Sequence, residues 1–142
     1  NKPKDFILRN KRELLILASI IQREAKSFED SKLVASVFIN RLRKKMKLQS
    51  DVTLAFGLNI NGKYITKKML KSSHPFNTYF HTGLPPTPIS YPGKNALNAL
   101  KNVKNTNYFY FVADGKGRHR FSETYDLHKQ NIKLWKKSKM KD

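Results

Sequence analysis

The most apolar segment of this 142-residue chain is Leu14–Glu24, a stretch with helical periodicity that ends on a carboxylate. Asn10 is a favourable N-cap residue, and Glu13 follows it by three positions, as a capping box requires. One face at helical spacing is apolar throughout: Leu14, Leu17, Ala18, Ile21 and Ala25. The pattern predicts a helix from about Lys11 to Lys26, against which one modest core can pack.

Glu24 lies at the edge of this apolar face, in the last turn of the predicted helix. It follows Ile20 by four residues and Ile21 by three, so the three side chains are neighbours. The negative end of the helix dipole and burial both disfavour the carboxylate anion. Both effects favour the protonated acid, which is the form that a proton donor needs. The alternative is a boundary glutamate that turns to solvent or pairs with one of the 29 basic residues.

The remaining patterns predict an α+β fold that is mainly helical, with a small antiparallel β element and a long, ordered, proline-rich loop. The strands are expected over Tyr108–Ala113 and Arg118–Ser122, joined by a Gly-containing turn. Further helices or short helical turns are expected over about Asp30–Met46, Asp51–Phe56, Thr66–Leu70, Gly93–Asn102 and Tyr125–Lys136. The predicted organisation is a lead-in over 1–10, a folded domain over 11–136 and a polar tail over 137–142.

The segment 73–93 contains five of the six prolines and few helix signals. Prolines fix the backbone angle φ and remove amide donors, so this long loop should be ordered. Long ordered loops in small domains often carry function. We therefore expect the part from Gly83 to Gly93 to form one wall of a cleft. The alternative is a surface connection that covers the core.

Composition narrows the function classes without choosing among them. The net charge of +19 predicts a polyanionic partner: nucleic acid, an anionic membrane surface or a wall polymer rich in carboxylates. A lysine-rich composition without a specific role explains the charge equally well. Cysteine is absent and the four histidines lack metal-ligand spacing, so neither a metal nor a cofactor is expected. The longest apolar run, Leu14–Ile21, is too short to span a bilayer, and the chain is consistent with a fragment of a longer protein.

Acid–base work by a carboxylate is the chemistry that remains, since no phosphate loop or nucleophile elbow is present. Glu24 is the leading candidate among only ten acidic residues. An acid combined with amide and hydroxyl side chains and with aromatic surfaces is typical of a cleft that binds a sugar polymer. These accompanying residues are Gln49, Asn77, Thr78, Tyr79 and Tyr91. Ser50 or Asp51 can cap the short helix that follows, so capping is an equal alternative for Asp51, and loop bracing is an equal alternative for Asn77. His119 and His128 are expected to be packed residues, and the alternative is that they support the site residues from behind.

Several segments together resemble the MltG (YceG-like) family of endolytic murein transglycosylases, in order and with similar spacing from about Glu13 to Lys133. The matching segments are Leu17–Glu24, Val34–Leu42, Met46–Asp51, Asn77–Tyr79, Thr82–Ile89, Pro92–Gly93, Tyr110–Ala113, Gly115–Phe121 and His128. The sequence departs from the family pattern at Gln22, where relatives often have an acid, at Val52, where proline is usual, and at Tyr91, where asparagine is common. None of these departures affects Glu24.

The resemblance implies a YceG-like catalytic domain over 11–136 with Glu24 as the catalytic residue. It implies cleavage of the MurNAc–GlcNAc bond inside peptidoglycan glycan strands, with one glutamate as acid and then base, to give 1,6-anhydroMurNAc ends. The sugar-binding residues would then be Gln49, Asp51, Asn77, Thr78 and Tyr79.

The resemblance also implies a role in cell wall assembly and strand length control. The enzyme would belong to the cell envelope, held at the inner membrane by an N-terminal anchor missing from this chain, with its catalytic domain on the outer face. The expected partners are glycan strands and peptidoglycan synthases, without nucleic acid. The competing functions are a basic nucleic-acid-binding domain, a non-catalytic peptidoglycan-binding module and a hydrolase on the same glycan.

Overall fold

The computed structural model describes residues 8–140, and its central element is α1, Lys11–Glu24. The predicted cap forms: the Glu13 amide donates to Asn10 Oδ1 at 2.9 Å, while the Glu13 carboxylate accepts from the Arg9 amide at 2.8 Å. All six residues from Ile16 to Ile21 are buried, so α1 is buried on more than the one apolar face that the sequence predicts. The helix is enclosed because α1 is packed on several sides by other elements of the fold.

The helical elements that follow surround α1 and build the core with it. They are α2 (Phe28–Arg43), α3 (Asp51–Leu58) and α4 (Lys94–Lys101), with short 3-10 turns at Gly62–Tyr64 and Met69–Lys71. The largest core side chains are completely buried: Leu17, Ile20, Ile21, Val34, Phe38 and Leu100. Leu8, from the predicted lead-in, also joins this core at 2% exposure.

The β element is the predicted antiparallel pair, β1 (Tyr110–Ala113) and β2 (His119–Ser122). The register pairs Tyr110 with Ser122 and Ala113 with His119. The turn between the strands uses Gly115 and Gly117, both with φ above 80°, a conformation that glycine adopts without strain. The last helix, α5 (Tyr125–Met140), packs on this hairpin and contains no fully buried residue. The fold is therefore α+β and mainly helical, as predicted.

Most element boundaries fall within a turn of the predicted ones, and the exceptions have clear causes. The helix predicted to end at Phe56 continues to Leu58, and it is capped by Asn59 in the left-handed conformation. A Cβ on Gly57 would lie 2.6 Å from the His74 ring and 2.7 Å from Phe76 Cβ, so glycine is needed here for close packing. At the other end of the chain, α5 extends to Met140, and residues 137–140 are its last turn.

The proline-rich loop is fastened along α1. Ser19 is the main attachment point: its Oγ accepts from the Ile89 amide, and its carbonyl accepts from Ser90 Oγ, both at 2.9 Å. Near the loop's end, the Gly93 amide donates to Gln22 Oε1 at 2.8 Å. The loop is thus held by hydrogen bonds to the central helix. Among the described residues, no helix has the length and apolarity needed to cross a membrane.

Candidate active site

A groove of about 500 Å³ opens between the helical core and the hairpin–α5 layer. The core side contributes the end of α1, the middle of α2 and the segment that leads into α3. The other side consists of β1, the first residue of β2 and the inner face of α5. The principal lining residues are Glu24, Val37, Arg41, Leu48, Gln49, Asp51, Tyr79, Phe109, Tyr110, Phe111, His119, Tyr125, His128, Ile132 and Trp135.

Glu24 is the last residue of α1 and keeps partial access to solvent at this groove. Its Oε2 accepts a hydrogen bond of 2.9 Å from the hydroxyl of Ser50. No lysine or arginine within residues 8–140 forms an ion pair with it, so the charge-paired alternative is not realised in this part of the chain. The carboxyl group is available to a molecule in the groove.

Ser50 occupies an unusual place for a helix N-cap. It precedes α3, yet its side chain makes no capping bond, and its hydroxyl donates to Glu24. The Ser50 amide donates to Thr78 Oγ1 at 2.9 Å, and Thr53 Oγ1 donates to the Ser50 carbonyl at 2.8 Å. Sequence reasoning gave Ser50 only a capping role. Its side chain instead positions the candidate acid.

The pKa of Glu24 is raised above its ordinary value of 4.5, chiefly because packing removes water from the carboxylate. The Ser50 hydrogen bond and the nearby imidazole of His119 work in the opposite direction and lower it, whereas the negative charge of Asp51 raises it. Burial is the largest of these effects. The groove therefore favours the protonated acid, in the direction that the sequence predicted.

Gln49, Asp51 and Tyr79 lie in the groove with Glu24. The Tyr79 hydroxyl donates to Asp51 Oδ1 at 2.5 Å, and burial together with this bond raises the pKa of the phenol. Asp51 is the first residue of α3, where the positive end of the helix dipole also favours a carboxylate. Gln49 has φ of +53°, a rare conformation for a residue other than glycine, and its amide donates to the Thr78 carbonyl.

Asn77 and Thr78 do not line the groove, and the prediction that they do is wrong. Both are buried, at 0% and 2% exposure. Asn77 Nδ2 donates to the carbonyls of Leu70 and Ser72, so this side chain braces the preceding loop. Thr78 acts one step behind the groove, through its hydrogen bonds to Ser50. The sequence predicted correctly that Asn77 and Thr78 lie near the site. It did not show that they are buried behind the residues that line the groove.

The Gly83–Gly93 loop also lies elsewhere: none of its residues lines the groove beside Glu24. The loop follows α1 instead, where Ser19 and Gln22 hold it. The opposite wall is supplied by the hairpin and by α5, which the sequence did not indicate. Tyr91, considered as a sugar-stacking residue, is 95% exposed and outside the groove.

His119 and Asp30 form the clearest feature that sequence reasoning missed. The His119 ring lines the groove, and its Nδ1 is hydrogen-bonded to Oδ2 of Asp30, which is 1% exposed. Arg118 Nε lies 3.1 Å from the other oxygen, Oδ1. The two partners are 89 positions apart, and a residue at the start of a helix is readily explained by capping. No local pattern could have joined them.

A second compartment of about 530 Å³ continues from the groove and shares Arg41, Gln49, Tyr110 and Tyr125 with it. Arg41 is 5% exposed, and it donates to the carbonyls of Phe109 and Lys47, both at 2.7 Å. Its guanidinium lies 4.9 Å from the centroid of the Tyr110 ring. Burial lowers the pKa of Arg41. The two compartments adjoin along their shared residues and together make one cleft.

The aromatic run of β1 is engaged within the fold. Phe111 packs edge-on against Phe38 at 5.6 Å between centroids, and Tyr110 stacks on His128 at 5.0 Å. These two rings thus pack against other side chains of the fold while also lining the groove. In the part of the chain that the structure describes, no group of three or more His, Asp or Glu residues is placed to hold a metal ion.

Comparison with solved structures and with characterised sequences gives consistent relatives. A YceG-like protein from Listeria monocytogenes, solved by crystallography, superposes with a TM-score of 0.78 at 40% identity, covering 84% of this chain and 39% of that one. The endolytic murein transglycosylase of Bacillus subtilis (strain 168) is 39% identical over 116 residues, which are 82% of this chain and 32% of the relative. The protein of that name from Streptococcus pneumoniae (strain D39) is 32% identical over 126 residues.

The chain spans 32% and 23% of the lengths of these two transglycosylases, so it corresponds to one part of each. The YceG-like family model matches residues 2–134, which is nearly the whole chain. The fold and the order of the matching segments agree with this result. The chain belongs to the YceG-like family.

Proposed function

We propose that this domain is a lytic transglycosylase that cuts peptidoglycan glycan strands internally, at the MurNAc–GlcNAc bond, with Glu24 as its catalytic residue. One observation carries the proposal: a carboxyl group with a raised pKa, held by Ser50 and without a lysine or arginine ion pair among the described residues 8–140, faces the groove. Related proteins that share the domain are named endolytic murein transglycosylases, which supports glycan as the substrate.

In the first step Glu24 acts as a general acid. The protonated carboxyl donates its proton to the glycosidic oxygen, the C1–O bond of MurNAc breaks, and the GlcNAc unit leaves as an alcohol. A general acid is most effective when its pKa lies near the working pH, so the upward shift caused by burial assists this step. The positive charge that develops at C1 is shared with the ring oxygen and sheltered by the N-acetyl group.

In the second step the same glutamate, now a carboxylate, acts as a base. It takes the proton from the C6 hydroxyl of the MurNAc unit, and the C6 oxygen closes on C1 to give a 1,6-anhydro ring. The proton gained by Glu24 equals the proton given in the first step, so the enzyme returns to its initial state without water. A single carboxylate then suffices, in contrast to the usual pair of glycosidases.

The second carboxylate of the groove, Asp51, is already engaged by the Tyr79 hydroxyl. This arrangement suits a positioning role: Asp51 and Tyr79, with Gln49, are placed to hydrogen-bond sugar hydroxyls and amides. Participation of Asp51 as a base toward water would convert the enzyme into a hydrolase. The two reactions leave different ends, anhydro or reducing, on the same fragment.

A substrate in the wall places the protein in the cell envelope, with roles in wall assembly and in setting strand length. A membrane anchor outside this chain and cooperation with peptidoglycan synthases remain predictions. The strongly basic surface fits a polymer whose peptide stems carry carboxylates.

The proposal is tested by incubating the chain with purified sacculi and analysing the released muropeptides by mass spectrometry. The expected products carry 1,6-anhydroMurNAc ends, and Glu24→Gln should reduce their formation by about 10²–10⁴-fold, the usual contribution of a general acid. Glu123→Gln is the matched control, because Glu123 is exposed and lies outside the groove, and it should retain the parent rate.

Two results would contradict the proposal. Reducing MurNAc ends in place of anhydro ends would identify a hydrolase. Binding to sacculi without any released fragment, by a chain that is folded by circular dichroism, would identify a binding module.

A further inference from the structure

We propose that His119 contacts the saccharide: its Nε2 accepts a hydrogen bond from a sugar hydroxyl on the side of the groove opposite Glu24, while Asp30 holds the ring in place. This inference rests on the proposed function for the identity of its ligand. It adds a second substrate-contacting group, with a different partner and a different chemical role from the acid.

The position of His119 is set by the hairpin. It is the first residue of β2, paired with Ala113, and it directly follows the turn that contains the two glycines with positive φ. Phe111 meets the imidazole edge-on at 5.2 Å between centroids. The side chain is only 14% exposed, and it is one of the residues that line the groove. The ring is therefore packed on its flanks and open toward the cleft.

Asp30 fixes which nitrogen faces the cleft. Its Oδ2 is the partner of Nδ1, so in a neutral imidazole the proton lies on Nδ1 and the lone pair on Nε2. No group within residues 8–140 is hydrogen-bonded to Nε2. A carboxylate behind a histidine is the usual way in which proteins orient an imidazole toward a ligand.

The cost of burying Asp30 supports a role beyond packing. Its carboxylate is 1% exposed, lies in the first turn of α2 and has the Arg118 guanidinium at 3.1 Å as a second partner. The exposed Arg118 and the helix N-terminus stabilise the anion without occupying the groove. The arrangement keeps a negative charge behind the ring, where it strengthens Nε2 as an acceptor.

A bound glycan presents suitable donors along its length, since every residue carries hydroxyl groups. The lining of the groove places Glu24 on the helical side and His119 on the hairpin side. Both side chains line the same groove, so the two groups belong to one site. A sugar ring between them would be held from both sides.

The first test measures cleavage kinetics on solubilised glycan strands. His119→Ala should reduce kcat/KM by about 10–100-fold, because a hydrogen bond to the substrate is lost. His119→Gln should recover part of that loss, since its Oε1 can accept a hydrogen bond. His81→Gln is the matched control: His81 is exposed, outside the groove and bonded to the Ser73 carbonyl, so the parent rate is expected.

The second test reports on the ring itself. Imidazole ¹⁵N spectra of the Glu24→Gln chain, which cannot donate the proton, should show His119 as the Nδ1–H form and should shift at Nε2 on addition of a GlcNAc–MurNAc tetrasaccharide. Asp30→Asn should increase the population of the Nε2–H form and weaken the response. A structural role alone would leave the Nε2 signal unmoved by sugar.

The outcomes separate the two proposals. An Nε2 signal that does not respond to the sugar, together with parent-like kcat/KM in a folded His119→Ala chain, overturns the role of His119. A response at Nε2 in a parent chain that releases no fragments keeps the contact and overturns the cleavage reaction. If His119→Ala fails to fold, the ¹⁵N titration of the chain with an intact His119 decides the question.

Discussion

The two sides of the groove are built in different ways. On the helical side, α1 is buried around most of its circumference, and Glu24 is tied to Ser50, whose amide is in turn bonded to Thr78. On the other side, α5 has no fully buried residue, and His128 Nδ1 in this layer has no hydrogen-bond partner within the described chain. Glu24 thus lies on the well-packed side of the groove, and the opposing wall is formed by the less tightly packed α5 layer.

This difference suggests a division of labour. A general acid must be held within a fraction of an ångström of its target, which requires a well-packed support. A polymer must enter and leave, which is easier when one wall opens at low cost. The predictions below test whether the two sides differ in stability and whether the site depends on the rigid one.

The largest effect is expected from cavities in the two layers. Leu17→Ala on α1 removes a completely buried side chain and should lower the free energy of unfolding by about 2–5 kcal/mol. Ile132→Ala on α5 removes a partly exposed one and should cost less than about 1.5 kcal/mol. Urea unfolding followed by circular dichroism measures both. Equal losses would remove the distinction between the layers.

A smaller effect, an increase in the free energy of unfolding, is expected when Glu24 is replaced by glutamine. Because burial raises the pKa of Glu24, the folded state binds this proton more tightly than the unfolded chain does, and stability falls as pH rises from about 4.5 through the folded-state pKa. Glu24→Gln does not titrate and avoids that loss. The variant should therefore be more stable than the parent at neutral pH, by up to about 2 kcal/mol, and similar to it at pH 4.

Thermal unfolding at pH 4 and at pH 7.5 checks this prediction. The advantage of the glutamine variant must grow with pH if the carboxylate is disfavoured in the folded state. A variant that is less stable than the parent at pH 7.5 would mean that the native structure stabilises the anion.

Loss of the Ser50 hydroxyl should raise the pKa of Glu24 further. Ser50 lowers the pKa of Glu24, so Ser50→Ala should raise that pKa and extend the basic limb of the pH–rate profile to higher pH. The cost in stability should be about 1 kcal/mol, as for one hydrogen bond. A ¹³C titration of the Glu24 carboxyl measures the shift. Ser36→Ala, whose hydroxyl bonds Thr106 away from the groove, should leave it unchanged.

The smallest effect is expected on the outer surface of α5. Lys129 forms an exposed pair with Asp126 at 3.2 Å, three residues apart on the helix. Lys129→Gln should change the free energy of unfolding by less than about 0.5 kcal/mol, because solvent screens such pairs. Chemical denaturation at low and at high salt measures the change. A loss above 1 kcal/mol would show that α5 depends on its charges more than on its inner face.

The comparison also explains what the sequence could and could not reveal. Periodicity located α1 and put Glu24 at its end, since both follow from residues close in the chain. The strand pair was visible for the same reason. Asn77 and Thr78 were predicted to line the groove, but they are buried behind it. Their positions depend on hydrogen bonds with Ser50 and Leu70, which the sequence does not show.

Contacts across long separations were beyond reach. His119 meets Asp30 only after the hairpin folds onto α2, and each residue taken alone has an ordinary local explanation. The α5 wall was hidden because its inner face, including His128 and Trp135, is built from residues that also occur on solvated helices. Ser50 was the nearest miss: its place before α3 was recognised, whereas the direction of its hydroxyl depends on where α1 ends.

That diverted hydroxyl has a consequence for how the domain can change. A serine hydroxyl can donate one hydrogen bond and accept others, and Ser50 uses its donor for the neighbouring carboxyl. The start of α3 lacks a side-chain cap, and Glu24 has the hydrogen bond instead. Replacement by aspartate would strengthen the helix start but would leave no proton to donate to Glu24, so the stability of α3 and the proton affinity of Glu24 are coupled through this one side chain.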